Sequence, residues 1–247
     1  MIPKVIHYCW FGYNPLPELA VKCIESWKRY LPGYEIKEWN EDNFDVNSIP
    51  YIREAYAAKK YAFVSDYARF YILYHHGGLY FDTDVEVVKP LYEIVKKGAF
   101  MGCENEVSVE GTTLAVAPGL VLGCSPGLNL YAEILSMYEG LHFLGVDGRL
   151  NLKTVVQYTT ELLVKHGLKN VNDIQRCAGV WIYPKEYFCP IDYYTGQCKM
   201  SPNTHTIHHY AASWFSPSLR LKNEIIKLLG KRMTGWLVKL KNLIGQK

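Results

Sequence analysis

The sequence predicts an α/β fold in one principal domain, residues 1–216, followed by a helical tail, residues 217–247. Short apolar runs alternate with helix-spaced segments along the 247 residues, which is typical of a sheet covered by helices. The first strand, helix and strand follow one another closely, which favours a parallel pair joined by a helical crossover. Apolar residues make up 49% of the chain, enough for one sizeable core.

The opening β-α-β unit is read from three patterns. Residues 5–10 form a short apolar run, which predicts a buried strand. Residues 17–30 have apolar side chains at helical spacing, and Pro32-Gly33 ends that helix. Residues 34–39 alternate between apolar and polar side chains, which predicts the second strand.

The next segment is the most informative. Residues 61–76 contain no glycine or proline and are apolar almost all round, which predicts a buried helix ending at Gly77-Gly78. A strand over residues 79–81 follows, and the triplet Asp82-Thr83-Asp84 stands at its end. The remaining predicted elements are an extended segment over 85–88, helices over 90–97, 126–138 and 152–166, and strands over 120–122 and 204–210.

Charge separates the tail from the body of the chain. The tail carries eight basic residues and one acid, a net charge of +7. The whole chain has a net charge of +3, so the remaining 216 residues sum to −4. A mildly acidic body argues against broad binding of a nucleic-acid backbone. The tail has apolar stripes at helical spacing, which fit either contact with an anionic membrane surface or packing on the domain.

The cysteine pattern and the N-terminus bear on location. Seven cysteines without CxxC spacing predict neither a disulfide framework nor a zinc ribbon, and a reducing cytoplasm is the simplest location. The first residues lack the pattern of a signal peptide, and no apolar window is long enough to span a membrane. We therefore expect a cytoplasmic protein, with peripheral contact at the inner membrane face through the tail.

The candidate chemistry centres on Asp82 and Asp84. On a straight strand two carboxylates at this spacing would face opposite ways, but at a strand's end both can converge on one cation. Carboxylate oxygens suit Mg²⁺ or Mn²⁺, which often complete their shell with substrate phosphates. The carboxyl end of a strand is also where ligands bind in open α/β sheets. The alternative is a solvated acidic turn, because Asp-x-Asp by itself is common.

Two further pairs accompany this motif. Asp66 and Arg69 lie three residues apart and share a face of the predicted buried helix, either as an ion pair or as ligands of a sugar hydroxyl or phosphate. His208 and His209 are adjacent in a predicted strand, so alternation turns only one of them towards the site.

Three blocks, residues 2–12, 65–84 and 208–214, resemble glycosyltransferase family 32 and occur in the order found there. That family includes initiating mannosyltransferases and bacterial capsular polysaccharide glycosyltransferases. The resemblance implies a GT-A fold, with a Rossmann-like, mainly parallel sheet flanked by helices. It also implies a retaining, Mn²⁺- or Mg²⁺-dependent transfer of a hexose or N-acetylhexosamine from a nucleotide-diphosphate sugar. We expect the donor to be a UDP-sugar in preference to GDP-mannose. We expect the acceptor to be a glycan or a lipid-linked saccharide in polysaccharide synthesis.

The same resemblance implies roles for individual residues. Trp10 would stack on the base, with the backbone near His7 lining its pocket, and Tyr80 would pack beside the nucleoside. Ser213 and Trp214 would contact the diphosphate end of the donor. The expected catalytic residues are Asp66 and Arg69, holding the donor sugar, with Asp82 and Asp84. The metal ligands would be Asp84 directly, Asp82 as its partner, and either His208 or His209.

Two rival functions and one mechanistic question remain at this point. A haloacid-dehalogenase-type phosphohydrolase also carries Asp-x-Asp after a strand, although usually after the first strand of its domain. A non-catalytic carbohydrate-binding module with a structural cation is the other rival. Retention requires either a carboxylate nucleophile, for which Glu104 and Asp147 are weak candidates, or attack by the acceptor on the face that the diphosphate leaves, which we favour.

Overall fold

The computed structural model describes residues 1–108, 111–193 and 196–211. Within them a seven-stranded sheet has the strand order β2-β1-β3-β6-β5-β8-β7, and β4 and β9 form a separate two-stranded sheet. The predicted α/β class is confirmed. The strands are β1 (Val5–Cys9), β2 (Glu35–Trp39), β3 (Gly78–Tyr80), β4 (Val85–Val87), β5 (Phe100–Gly102), β6 (Leu122–Cys124), β7 (Gln175–Cys177), β8 (Val180–Tyr183) and β9 (Thr206–His208).

The large sheet is mixed, whereas a mainly parallel sheet was expected. Strand β1 is parallel to β2 and β3, and β5 is parallel to β8, but the other three pairings are antiparallel. Of the antiparallel pairs, only β7 and β8 are joined by a tight turn, a connection that parallel neighbours cannot use, whereas β6 pairs with β3 and β5 across long connections. Strands β7 and β8 are joined through Ala178 and Gly179, which both have positive φ, as the favoured two-residue hairpin turn requires.

Seven helices surround the sheet in the described part of the chain. They are α1 (Glu18–Tyr30), α2 (Pro50–Ala57), α3 (Tyr61–His76), α4 (Tyr92–Lys96), α5 (Asn129–Glu139), α6 (Val155–Lys165) and α7 (Lys185–Phe188). Helix α3 has the bounds that its composition predicts. The predicted elements α1, α4, α5 and α6 are found with ends shifted by up to three residues, whereas α2, α7, β5, β7 and β8 were not predicted.

Helix α3 is buried because it packs on the sheet and on other helices at the same time. It contacts β1, β3 and β6 on one side and α2 and α5 on the other. Phe70, Ile72 and Leu73 are fully buried, and the exposed residues of the helix are the two histidines at its C-terminus. Asp66 and Arg69, in the middle of α3, are therefore carried into the interior, next to the end of β3.

The tail lies outside the described residues, as do Ser213 and Trp214, so their expected roles stay predictions. Among the helices that the structure describes, none is both long and apolar enough to cross a membrane.

Candidate functional site

The carboxyl ends of four strands meet at one edge of the large sheet. Strands β1 and β3 are parallel, β6 runs against both β3 and β5, and β8 follows β5. The residues that follow these strands therefore lie along the same edge, which is where open α/β sheets bind ligands. Trp10 follows β1, Asp82 follows β3, Glu104 follows β5 and Lys185 follows β8.

Arg69 links the two acids that come from α3 and β3. Its Nη2 lies 3.0 Å from Oδ1 of Asp66 and 3.2 Å from Oδ1 of Asp82, and its side chain is only 4% exposed. Its Nε also donates to the carbonyl oxygen of Ser65 at 3.2 Å. Burial raises the pKa of Asp66 and of Asp82, and the positive charge of Arg69 opposes that rise in each case. The guanidinium therefore serves as a shared, permanently charged partner for both carboxylates.

The other oxygen of Asp82 packs against a glycine. The amide of Asp82 donates to the carbonyl oxygen of Gly119 at 3.3 Å, and a Cβ added at Gly119 would overlap Oδ2 of Asp82. Tyr80 also holds this carboxylate, because its hydroxyl donates to Asp82 and its ring lies 5.1 Å from the guanidinium carbon of Arg69. Tyr80 is 1% exposed, and its expected place beside the nucleoside stays a prediction.

Asp84 is held by a different part of the chain. Strand β9 runs antiparallel to β4, with Val85 opposite His208, so the end of β9 lies beside Asp84. The amide of His209 donates to the carbonyl oxygen of Asp84 at 3.0 Å, and the amide of Ala211 donates to its Oδ2 at 2.8 Å. Nε2 of His208 lies 3.2 Å from its Oδ1. The two sheets thus meet at the Asp82-Thr83-Asp84 turn.

The electrostatics of Asp84 and His208 are complementary. Burial alone would raise the pKa of Asp84, but the charge and hydrogen bond of His208 and the amide of Ala211 lower it to about 2. Burial alone would lower the pKa of His208, but Asp84 raises it above the ordinary value. Nδ1 of His208 is buried and lacks a hydrogen-bond partner. This imidazole can therefore act either as a cation beside Asp84 or, when neutral, as a metal ligand.

His209 points away from Asp84. Its Nε2 lies 2.8 Å from Oε2 of Glu86, on the other side of the small sheet. Alternation predicted that only one histidine would face the site, and the structure places His208 there. The choice of His208 as a metal ligand stays a prediction.

Trp10 and His7, the two nucleotide contacts expected at β1, differ in how far their side chains are free to meet a ligand. Trp10 is partly buried at the carboxyl end of β1, and its indole N–H donates to the carbonyl oxygen of Asn14 at 2.6 Å. His7 is 2% exposed, and its Nδ1 accepts from the Trp39 indole at 3.0 Å. Its Nε2 therefore carries the proton and donates to the carbonyl oxygen of Gly77 at 3.0 Å. Burial lowers the pKa of His7 to about 4, so its side chain is a neutral bridge and only its backbone is available.

The donor set fits a hard divalent cation in part. Asp82 and Asp84 offer carboxylate oxygens and His208 an imidazole, which suit Mg²⁺ or Mn²⁺. Over residues 1–108, 111–193 and 196–211, however, no three His, Cys, Asp or Glu side chains are arranged as a ready-made site. Such a set resembles a site in which one or two protein ligands hold the cation and substrate phosphates supply the rest.

Glu104, which the sequence offered only as a nucleophile candidate, and Lys185, which the sequence did not single out, both lie at this edge of the sheet. Glu104 follows β5, its amide donates to the carbonyl oxygen of Ala115 at 2.9 Å, and burial raises its pKa against the charges of His208 and Lys185. Strand β5 has only three residues, too few for a periodic signal. Had the apolar run before Glu104 been taken as a strand, the carboxyl-edge rule would have placed this acid at the site. Asp147, the other weak nucleophile candidate, lies 3.6 Å from exposed Arg149.

Comparison with known proteins gives one family match. Residues 17–101 match the family described as "Glycosyltransferase sugar-binding region containing DXD motif". This region contains Asp66, Arg69 and the Asp82-Thr83-Asp84 motif, and it confirms the resemblance to DXD-containing glycosyltransferases of the family 32 type. His208, by contrast, lies outside the matched region.

Two relatives and one solved structure illustrate the similarity. The chain is 36% identical over 106 residues to an uncharacterized glycosyltransferase, L373, of Acanthamoeba polyphaga mimivirus, covering 40% of this chain and 42% of that protein. It is 31% identical over 111 residues to inositol phosphoceramide mannosyltransferase 1 of Schizosaccharomyces pombe, covering 40% of this chain and 33% of that protein. The matches thus span less than half the length of these relatives.

The solved structure is the PaToxG glycosyltransferase, which has a TM-score of 0.46 and 20% identity. The superposition covers 66% of this chain and 69% of that one. A TM-score below 0.5 is a limited similarity, so the α/β class rests on the sheet of this chain itself.

Proposed function

We propose that this protein, a DXD-containing glycosyltransferase of the family 32 type, transfers a hexose or N-acetylhexosamine from a nucleotide-diphosphate sugar with retention of configuration. The observation that carries the proposal is the Asp82-Thr83-Asp84 turn. It lies at the carboxyl edge of the sheet, with Asp82 paired to Arg69 and Asp84 paired to His208. Two acids held by two separate cations at a ligand-binding edge fit a diphosphate-metal site better than a solvated turn.

The roles of the residues follow from their contacts. Asp84 and His208 would hold Mn²⁺ or Mg²⁺, with Asp82 beside them, and the cation would offset the charge that develops on the departing diphosphate. Arg69 orients Asp66 and Asp82. Because its guanidinium is buried and already shared, we propose that it positions these acids and does not itself grip the diphosphate. Asp66 would then contact a hydroxyl of the donor sugar.

The transfer step that we propose is same-face attack. A bond forms between the acceptor hydroxyl oxygen and the anomeric carbon, while the bond from that carbon to the diphosphate oxygen breaks. The acceptor proton passes to the departing phosphate, and the transition state resembles an oxocarbenium ion.

The donor and acceptor are proposed more broadly. We retain a UDP-sugar as the favoured donor, although mannosyltransferases among the relatives make a GDP-sugar the first alternative to test. The acceptor would be a glycan or lipid-linked saccharide, as in synthesis of a capsular or other polysaccharide. The mannosyltransferase of S. pombe is named for inositol phosphoceramide, which suits an acceptor at a membrane surface and peripheral contact through residues 217–247. The cytoplasmic location that we propose rests on the cysteine pattern alone.

The test is a thermal-unfolding screen of the full chain with UDP, GDP and CDP, each with and without Mn²⁺. We expect one nucleotide to raise the Tm, and to do so only with the metal, because a ligand that binds the native state alone stabilises it. Asp84→Asn should abolish that shift. Release of sugar from the matching nucleotide sugar then establishes turnover.

Other results would contradict the proposal. No Tm shift with any nucleotide and either metal, together with phosphate release from p-nitrophenyl phosphate, would favour the phosphohydrolase. Metal-dependent binding of saccharides without nucleotide binding would favour a carbohydrate-binding module. The phosphohydrolase would also need Asp82 free for nucleophilic attack, whereas Asp82 is engaged by Arg69 and Tyr80.

A further inference from the structure

We propose that a small polar cavity beside the Asp84–His208 pair is the subsite for the acceptor saccharide. This inference rests on the proposed function, since an acceptor exists only if sugar is transferred. The cavity, called the acceptor cavity below, has a volume of about 200 Å³ and one wall at Pro190. Its polar lining residues are Glu106, Lys185, Glu186, Asp192, Gln197 and Lys199.

A short chain of contacts connects the cavity to the site. Pro190 follows Cys189, whose Sγ lies 2.9 Å from the hydroxyl oxygen of Tyr210. The ring of Tyr210 meets the imidazole of His208 edge-on, with centroids 4.4 Å apart. His208 in turn contacts Asp84 at 3.2 Å. Cys189 and Tyr210 therefore connect the Pro190 wall of the acceptor cavity to His208, the partner of the acid that we propose as a metal ligand.

The order of strands places the acceptor cavity and the expected nucleotide contact on opposite sides of the Asp82-Thr83-Asp84 turn. Trp10, the expected base contact, follows β1, and Asp82 follows β3, its neighbour. Lys185 follows β8, and Glu106 comes soon after β5, further along the sheet in the opposite direction. A donor that extends from Trp10 to the metal would thus present its sugar between the nucleotide and the acceptor cavity, as transfer requires.

The chemistry of the lining selects the kind of ligand. The lining carries three carboxylates, two ammonium groups and one amide, of which Glu186 already accepts from Asn203. The ammonium groups of Lys185 and Lys199 can donate to the hydroxyls of a sugar ring. A nucleotide diphosphate would meet three carboxylates there, so the lining disfavours a second donor molecule. A volume of about 200 Å³ is well above the ~10–15 Å³ that one water needs, so the cavity has room for a ligand larger than water.

The first experiment separates acceptor binding from donor cleavage. The full chain is given UDP-glucose, UDP-galactose, UDP-N-acetylglucosamine or GDP-mannose with Mn²⁺, and the methyl glycosides of glucose, galactose, mannose and N-acetylglucosamine as acceptors. Lys185→Met and Lys199→Met should each raise the acceptor KM about tenfold and lower the ratio of transfer to hydrolysis, because each removes a charged hydrogen-bond donor. Lys96→Met, at an exposed position of α4, should leave the ratio unchanged.

The second experiment measures binding without turnover. Saturation-transfer NMR with the same glycosides, and no donor, should show contact with the wild-type chain and loss of that contact in the Lys185→Met/Lys199→Met double variant. Circular dichroism checks that the variants fold.

Failure of this inference differs from failure of the proposed function. An unchanged acceptor KM in the double variant, or no saturation transfer to any glycoside, would overturn the acceptor cavity while donor hydrolysis still proceeds. Absence of sugar release with every donor would instead overturn the proposed function, and the NMR experiment would still decide whether the cavity binds a saccharide.

Discussion

The two acids of the Asp82-Thr83-Asp84 turn are held in contrasting ways. Asp82 belongs to the large sheet and is paired with Arg69 of α3, which lies nearby in the sequence. Asp84 leads into the small sheet and is paired with His208 of β9, near the end of the described chain. One acid thus has a partner whose charge is permanent, and the other has a partner whose charge can be lost.

We infer from this difference that the two acids have different roles. Arginine cannot give up its proton in a protein, so Asp82 stays paired and its oxygens stay oriented. The imidazole of His208 can lose its proton and its ion pair with Asp84. The neutral ring could then bind the same metal ion as Asp84. We therefore expect Asp84 to determine the dependence on metal and Asp82 to determine geometry.

The largest expected effect comes from removing the permanent partner. Arg69→Met leaves the buried Asp66 and the half-buried Asp82 without a cation, so the free energy of unfolding should fall by about 3–5 kcal/mol. Urea unfolding measures this change. The matched control is Arg149→Met, whose ion pair with Asp147 is exposed and should contribute less than about 1 kcal/mol. Equal losses in the two variants would contradict the importance of the buried pair.

The second effect is on activity. Asp84→Asn should lower the rate of sugar release from the nucleotide sugar by about 10³-fold and remove its Mn²⁺ dependence, because the direct metal ligand is lost. Asp82→Asn should change the half-saturating Mn²⁺ concentration less. An unchanged rate and an unchanged Mn²⁺ response in Asp84→Asn would refute the metal assignment.

The third effect tests the geometry of Asp82 without touching its charge. Gly119→Ala places a Cβ against Oδ2 of Asp82, and a displacement of that carboxylate should lower the rate about 10²-fold. The response to Mn²⁺ concentration should stay as in the wild type. Gly140→Ala is the matched control, since its nearest neighbour would be an ordinary contact at 3.7 Å and its φ is −86°. A similar loss in both variants would mean that Asp82 tolerates displacement.

The smallest effect separates the two histidines. His209→Ala removes a pair with Glu86, whose side chain is 40% exposed, so the rate should change by less than about threefold. His208→Ala should lower the rate more and shift the Mn²⁺ response, since it removes the partner of Asp84. If His209→Ala proved the more harmful substitution, the imidazole ligand would have to be reassigned.

Much of the site could be read from local pattern. Helix α3 was predicted with its observed bounds because sixteen residues without glycine or proline give a long, unambiguous signal. Asp66 and Arg69 were placed on one face by their spacing, and their ion pair is found. The opposite orientations of His208 and His209 followed from strand alternation.

The failures share one cause, which is that short elements carry little periodic signal. Strands β5, β7 and β8 have three or four residues each, so Glu104 and Lys185 could not be assigned to the carboxyl edge. The nucleotide contacts expected from the resemblance are a different case, because a resemblance assigns a role to a position and not to a side-chain direction. The side chains of His7 and Tyr80 are buried and hydrogen-bonded within the protein, and the roles expected of the His7 backbone and of Tyr80 stay predictions.

The sequence by itself determined the α/β class, the buried helix and the position of two acids at the end of a strand. These features depend on residues close together in the chain, where spacing and periodicity act directly. Only the tertiary structure decided which cation holds which acid, that Gly119 packs against Asp82, and that β9 returns beside Asp84. The contacts of Gly119 and β9 join segments distant in sequence, and the Arg69–Asp82 pair joins a helix to the strand after it, so strand pairing and burial create them.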